Sequence, residues 1–218
     1  MKHTEKELSA LKEEVSQMWK LVISQLEKAK QAFLAGNTET AREIVSREKR
    51  VDAFELKIDA DCENYIALFS PVAIDLRLLL SLIKISSTLE RIGDFCEGIA
   101  RHVIEEDFSV LESELVEELQ LETMFDTLIS MLTDSFVALE SENTKMSGRI
   151  LSKDEEVDSL YRNSFNILDD YFHKKPEHIR SGLKMILLIK KLERIGDHCS
   201  NIVEEIVFYI DAKVLKHS

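Results

Sequence analysis

Apolar residues recur at helical spacing along almost the whole chain. Val15, Trp19, Val22, Leu26, Ala29 and Phe33 step by 4, 3, 4, 3 and 4, a narrow seam that packs one helix against others. Gly36-Asn37 closes this first helix, because glycine just past the last periodic residue takes the left-handed conformation that ends one. A second helix is expected from about Thr38 to Phe69. Ser70-Pro71 reads as an N-cap with proline at the first helical position, opening a third helix that runs to about Glu106. Ser109 and Glu112 have the spacing of a capping box for a fourth. A fifth begins near Asn143-Thr144 and ends by His173, and Pro176 opens a sixth that runs to about Asp211.

The six helices are three, written twice. Leu89-Glu-Arg-Ile-Gly-Asp-Phe-Cys returns as Leu192-Glu-Arg-Ile-Gly-Asp-His-Cys, 103 positions later. Upstream the offset is 106: Trp19 matches Phe125, Leu26 matches Leu132, Asn37-Thr38 matches Asn143-Thr144, and Val51-Asp52 matches Val157-Asp158. The difference arises before the third helix, where Tyr65 to Arg77 spans 12 positions and Tyr171 to Arg180 spans 9. A repeat that keeps helix phase and varies a loop is a structural duplication. The expected fold is all-α: two tandem three-helix-bundle repeats, residues 1–107 and 108–218, packed into one elongated protein.

Composition narrows the choice further. Two prolines and six glycines in 218 residues are too few for the turns of a sandwich or barrel. A net charge of −13 argues against nucleic acid, whose phosphates demand clustered Lys and Arg, and against a generally anionic membrane surface. Leu76–Ile85, the most apolar stretch, is interrupted by Arg77, Ser81 and Lys84, so no segment inserts into a bilayer. The amino terminus lacks a secretory apolar core. Cys62, Cys96 and Cys199 form no CxxC motif and suit a reducing compartment. A cytoplasmic protein is expected.

The acidic surplus carries the candidate chemistry. Carboxylates four apart share a helix face, and six E/DxxxD pairs occur where a chain with 14 Asp would hold roughly two to three by chance. Four of the six obey the repeat: Glu48/Asp52 and Glu90/Asp94 in the first half, Asp154/Asp158 and Glu193/Asp197 in the second. Glu55/Asp59 and Glu122/Asp126 have no counterpart. On the third helix Leu78, Leu82, Ile85, Leu89, Ile92, Cys96 and Ile99 form the apolar stripe, and Glu90 and Asp94 flank it. Gathered carboxylates repel one another, and a cation relieves the repulsion. All-oxygen donors suit iron, Mg²⁺, Mn²⁺ or Ca²⁺ and disfavour zinc.

Gly93 and Gly196 lie between stripe and carboxylates, so something approaches closely there, a packed neighbouring helix being the simplest candidate. Arg91/Arg194 and Arg77/Arg180 also recur, as salt-bridge partners or as anion ligands. Cys96 and Cys199 sit on the stripe as small core residues. No Glu-x-x-His pair, Walker loop, nucleophile elbow or HExxH motif is present.

The twin Leu-Glu-Arg-Ile-Gly-Asp signatures, the four duplicated carboxylate pairs and Pro71-Val-Ala-Ile-Asp-Leu-Arg77 together resemble the PhoU family, across essentially the whole chain and in the family's repeat order. The resemblance implies a cytoplasmic, non-enzymatic regulator that forms a homodimer. Such proteins act between the high-affinity phosphate ABC transporter, through its ATPase subunit, and a phosphate-sensing histidine kinase. They repress the phosphate-starvation response and restrain uptake. It further implies metal, including multinuclear iron, held by Glu48, Asp52, Glu90, Asp94, Asp154, Asp158, Glu193 and Asp197. Two departures stand out: His178-Ile-Arg180 replaces Asp75-Leu-Arg77 in the second half, and Asp154 is one methylene shorter than Glu48. The residues alone also admit a metal-dependent all-α nucleotide phosphohydrolase, or a helical interaction protein whose acidic faces are only solvated.

Overall fold

The computed structural model describes residues 2–105 and 113–215. Its elements are α1 (Lys2–Ala35), α2 (Thr38–Phe69), α3 (Ala73–Glu105), the short α4 (Ser113–Glu118), α5 (Leu121–Glu140), α6 (Ser147–Lys174), a 3-10 turn at Pro176–His178, and α7 (Ile179–Asp211). No strand occurs among the described residues. The six long helices are those expected. α3 and α7, at 33 residues each, run for roughly 50 Å.

Local chemistry sets most of the ends. α1 finishes in a Schellman motif: Gly36 has φ +60°, Asn37 N–H donates to Ala32 O at 2.9 Å and Gly36 N–H to Phe33 O at 3.3 Å. The same motif recurs 106 positions on, where Asn143 N–H donates to Ala138 O and Glu142 N–H to Leu139 O, with Glu142 at φ +48° in glycine's place. Asn37 then turns round to cap α2, its Oδ1 accepting from the backbone of Glu39 and Thr40.

Three boundaries differ from the sequence expectation. Ser70 is not the N-cap of α3; it closes α2 in the left-handed conformation, donating to Ile66 O, and α3 starts only at Ala73. The fourth helix is broken at Leu119-Gln120, with Gln120 at φ +52°. Leu115 and Leu119 set an inward face whose straight continuation would bury Glu122 and Asp126; the break turns Leu121, Met124, Phe125 and Leu128 inward instead. The third is at α6, which begins at Ser147 because Lys145-Met146 form a turn, Ser147 N–H donating to Thr144 O. Glu106, the Ser109/Glu112 capping box and the boundary at 107/108 lie outside the described residues.

α1, α3, α5 and α7 make a four-helix centre, with α2 laid on α1 and α3 and α6 on α5 and α7. The two repeats meet in antiparallel pairs. Along α3 and α7, Arg77 Nε donates to Tyr209 O, Ser81 Oγ to Glu205 O, and Lys84 pairs with Glu205. Phe95 and His198, equivalent positions of the repeat, pack against each other at a tilt with centroids 5.6 Å apart, so the pseudo-two-fold axis passes between them. Along α1 and α5, Trp19 Nε1 donates to Leu132 O at 3.0 Å, and Lys30 binds both Glu122 and Asp126. That last contact accounts for one of the two carboxylate pairs without a repeat counterpart: it is an ion-pair anchor between the halves.

Candidate metal centres

Each duplicated carboxylate quartet falls on the seam between an outer and an inner helix. In the first half, ligand oxygens of Glu48 (α2), Glu90 and Asp94 (α3) all lie within 4.8 Å of one another. In the second, Asp154 and Asp158 (α6) and Asp197 (α7) do the same. Asp52 stands outside the first triad, beside Glu48, whose carboxyl it helps to raise. Glu193 stands outside the second: it is buried, and Lys190 donates to its Oε1 at 2.6 Å.

The two halves are chemically unequal. In the first, Arg91 Nε sits 3.8 Å from Glu90, and Glu97 adds negative charge toward Glu48 and Asp94. Burial, then Asp52 and Asp94, push the Glu48 carboxyl up to about 7. Burial and Asp94 push Glu90 up to about 7 as well, and burial raises Asp94. The second half replaces Glu97 with Ser200, whose hydroxyl donates to Asp154 Oδ2 at 2.7 Å. There Lys190 neutralises Glu193, and Arg162 stands 3.8 Å from Asp158.

The raised carboxyls set a sign for stability. Between about pH 4.5 and about 7 the folded metal-free chain holds protons that the unfolded chain has released, so stability falls as pH rises through that window. Glu90→Gln keeps the neutral form. The chelated variant is therefore expected to match wild type at pH 5 and to exceed it by about 1–2 kcal/mol at pH 8, read from urea midpoints.

The glycines have a specific purpose. A Cβ on Gly196 would lie 2.5 Å from Asp154 Oδ1, and one on Gly93 would meet Val51 Cγ1 at 3.2 Å and Gln25 Oε1 at 3.3 Å. The close approach at Gly196 is thus the Asp154 carboxylate rather than a neighbouring backbone. Gly196→Ala is expected to push Asp154 off Ser200. The helix gain of about 1 kcal/mol offsets part of the clash, so thermal stability changes little while the second triad loses at least tenfold in Mn²⁺ affinity, measured by calorimetric titration.

The recurring arginines divide. Arg77 binds α7 backbone, Arg91 faces Glu90, Arg194 lies over the Phe95 ring at 5.6 Å, and Arg180 is exposed. Cys96 and Cys199 are buried core residues, their thiols pushed above the usual range by desolvation. Gln25 escaped the sequence pattern. It is fully buried on α1, with neither its amide oxygen nor its nitrogen hydrogen-bonded, an arrangement that costs about 1–3 kcal/mol per orphaned group. The signal for it is the repeat itself, which aligns Gln25 with Met131.

The donor chemistry fits a hard cation. Each triad offers only carboxylate oxygens, and Glu48 Oε1 is buried with no hydrogen-bond partner, which suits an oxygen donor to such a cation.

Fold and site define a class: a duplicated three-helix-bundle protein that seats an acidic triad on the equivalent seam of each half. The PhoU domain model matches residues 15–103 and again 121–206; the chain belongs to the PhoU family. It is 32% identical to the phosphate-specific transport system accessory protein PhoU homolog of Aquifex aeolicus strain VF5, over 97% of this chain and 95% of that one. It is equally 32% identical to the phosphate-specific transport system accessory protein PhoU of Escherichia coli K12, over 97% and 86%. Among solved structures, the phosphate transport system regulatory protein PhoU from Streptococcus pneumoniae superposes with a TM-score of 0.89 at 28% identity, covering 98% of this chain and all of that one. PhoU from Pseudomonas aeruginosa gives 0.86 at 26% identity, covering 96% and 99%. Among the described residues no helix is long and apolar enough to cross a membrane.

Proposed function

We propose that this chain is a regulator, not an enzyme, that restrains phosphate uptake and represses the phosphate-starvation response from the cytoplasm, acting as a homodimer. In this reading it docks on the ATPase subunit of a phosphate ABC transporter and on a phosphate-sensing histidine kinase, relaying the state of one to the other. The relatives' transport-accessory and regulatory names support the role. The observation that carries the metal component is the paired triads, Glu48/Glu90/Asp94 and Asp154/Asp158/Asp197, at equivalent seams of a duplicated fold.

Those six residues would hold a hard cation such as iron, Mn²⁺, Mg²⁺ or Ca²⁺, singly or as a multinuclear cluster, with Asp52 and Glu193 beside them. The bound cation supplies charge neutralisation and multidentate cross-linking by oxygen ligands. The chain's own contribution is geometric. α2 brings Glu48 to α3, α6 brings Asp154 and Asp158 to α7, and both inner helices continue into the contact between the repeats. Closing either seam therefore bears on the α3–α7 pairing that joins the halves.

The role is tested in a strain lacking this protein and grown in abundant phosphate. High alkaline phosphatase activity, silenced by returning the gene, is expected. Low activity that still rises on starvation would remove the chain from signalling, and failure to copurify with transporter and kinase would remove the docking step.

A further inference from the structure

Gln25 has no role among the metal ligands, yet a role for it depends on metal binding at the first triad. It is fully buried, and both polar atoms of its amide lack partners. Its Oε1 stands 3.3 Å from the point where a side chain on Gly93 would begin, in a notch that Val51 Cγ1 also touches at 3.2 Å. Gly93 immediately precedes Asp94, and Val51 immediately precedes Asp52. The amide therefore sits where the two carboxylate-bearing helices face each other, on the core side of the first triad. Glu48 Oε1, one turn back on α2, is a second buried atom without a partner.

The second half solves the same space differently. At the position equivalent to Gln25 stands Met131, fully buried. The notch at Gly196 is filled by Asp154 Oδ1 and Leu128 Cδ2, and Ser200 satisfies the other oxygen of Asp154. One half thus closes its inner wall with a ligand carboxylate and a hydroxyl. The other closes it with an amide whose donor and acceptor are both unspent.

We propose that Gln25 is a positioning residue of the first metal site, its amide orienting the ligand shell from the core side. An amide suits the role: it offers an acceptor to a metal-bound water and a donor to a ligand carboxylate, without adding charge to a seam already crowded with it. Groups that orient metal ligands in this way are worth 10–100-fold in affinity.

The test is calorimetric titration of the chelator-stripped, full-length protein with Mn²⁺. Wild type is compared with Gln25→Met, which installs the residue found in the other half, and with Gln25→Leu in case the first variant fails to fold. Melting curves of the metal-free proteins are recorded in parallel. The expected result is a 10–100-fold loss of affinity at one of the two sites, the other unchanged, and a metal-free melting midpoint equal to or above that of wild type. Wild-type affinity in a folded Gln25→Met or Gln25→Leu protein would overturn the proposal and leave the metal reading standing. If wild type itself binds no more Mn²⁺ than Asp52→Ala/Asp94→Ala/Asp158→Ala/Asp197→Ala, the metal reading falls and this proposal with it.

Discussion

Trp19→Ala is expected to lower the unfolding free energy by about 3–5 kcal/mol, the range for emptying a large aromatic site in a core. Trp19 is fully buried, stacks at a tilt on Phe136 with centroids 5.6 Å apart, and donates to Leu132 O across the α1–α5 contact. Its loss opens a cavity and removes a hydrogen bond that joins the repeats. Phe125, its repeat counterpart, shows that a phenyl ring suits the equivalent position. Trp19→Phe is therefore expected to lose only about 1–2 kcal/mol, for the smaller ring and the missing indole N–H. Urea unfolding followed by circular dichroism at 222 nm separates the two variants, and suits a chain whose single tryptophan is the one being replaced.

The second large effect is the pH dependence of metal binding at the first triad. Burial and neighbouring carboxylates push the Glu48 and Glu90 carboxyls up to about 7 in the metal-free fold, and a cation binds their ionised forms. Above about pH 7 no proton has to be displaced. Below it, each carboxyl lowers apparent affinity up to tenfold per pH unit. Mn²⁺ affinity at the first site is therefore expected to fall at least 100-fold between pH 7.5 and pH 5.5, with protons released on binding. Titrations in two buffers of different ionisation enthalpy measure both quantities. Glu90→Gln removes one of the two titrations, so its affinity is expected to depend on pH less steeply.

The repeat was legible in the residues because duplication leaves a register: seven of the eight residues from Leu89 to Cys96 return at a constant 103, and those upstream at 106. That register also chose four carboxylate pairs out of six. Lys30 then explains why one of the two discarded pairs lies elsewhere. What periodicity could not carry was anything settled between helices. Ser70-Pro71 looks like a helix start, yet the left-handed Ser70 terminates α2, because capping chemistry serves either end of a tight connection. The break at Leu119-Gln120 follows from the shift of apolar phase between Leu115/Leu119 and Leu121/Met124/Phe125/Leu128, which a reading of one continuous helix passes over. Helical spacing pairs Glu193 with Asp197, but it cannot show that Lys190 donates to Glu193 while Asp154, Asp158 and Asp197 draw together. Gln25 was hidden for the same reason, since a lone glutamine in an apolar seam acquires meaning only when α2 and α3 close around it.

The most direct test joins the site to the role. In a strain lacking this protein and grown in abundant phosphate, alkaline phosphatase activity is measured after complementation with wild type or with Asp52→Ala/Asp94→Ala/Asp158→Ala/Asp197→Ala, at matched expression and with the variant verified as folded. Wild type is expected to silence the reporter and the variant to leave it high. Equal silencing by both would contradict a regulator that works through its metal sites, and would reduce the duplicated carboxylates to solvated faces of a helical scaffold.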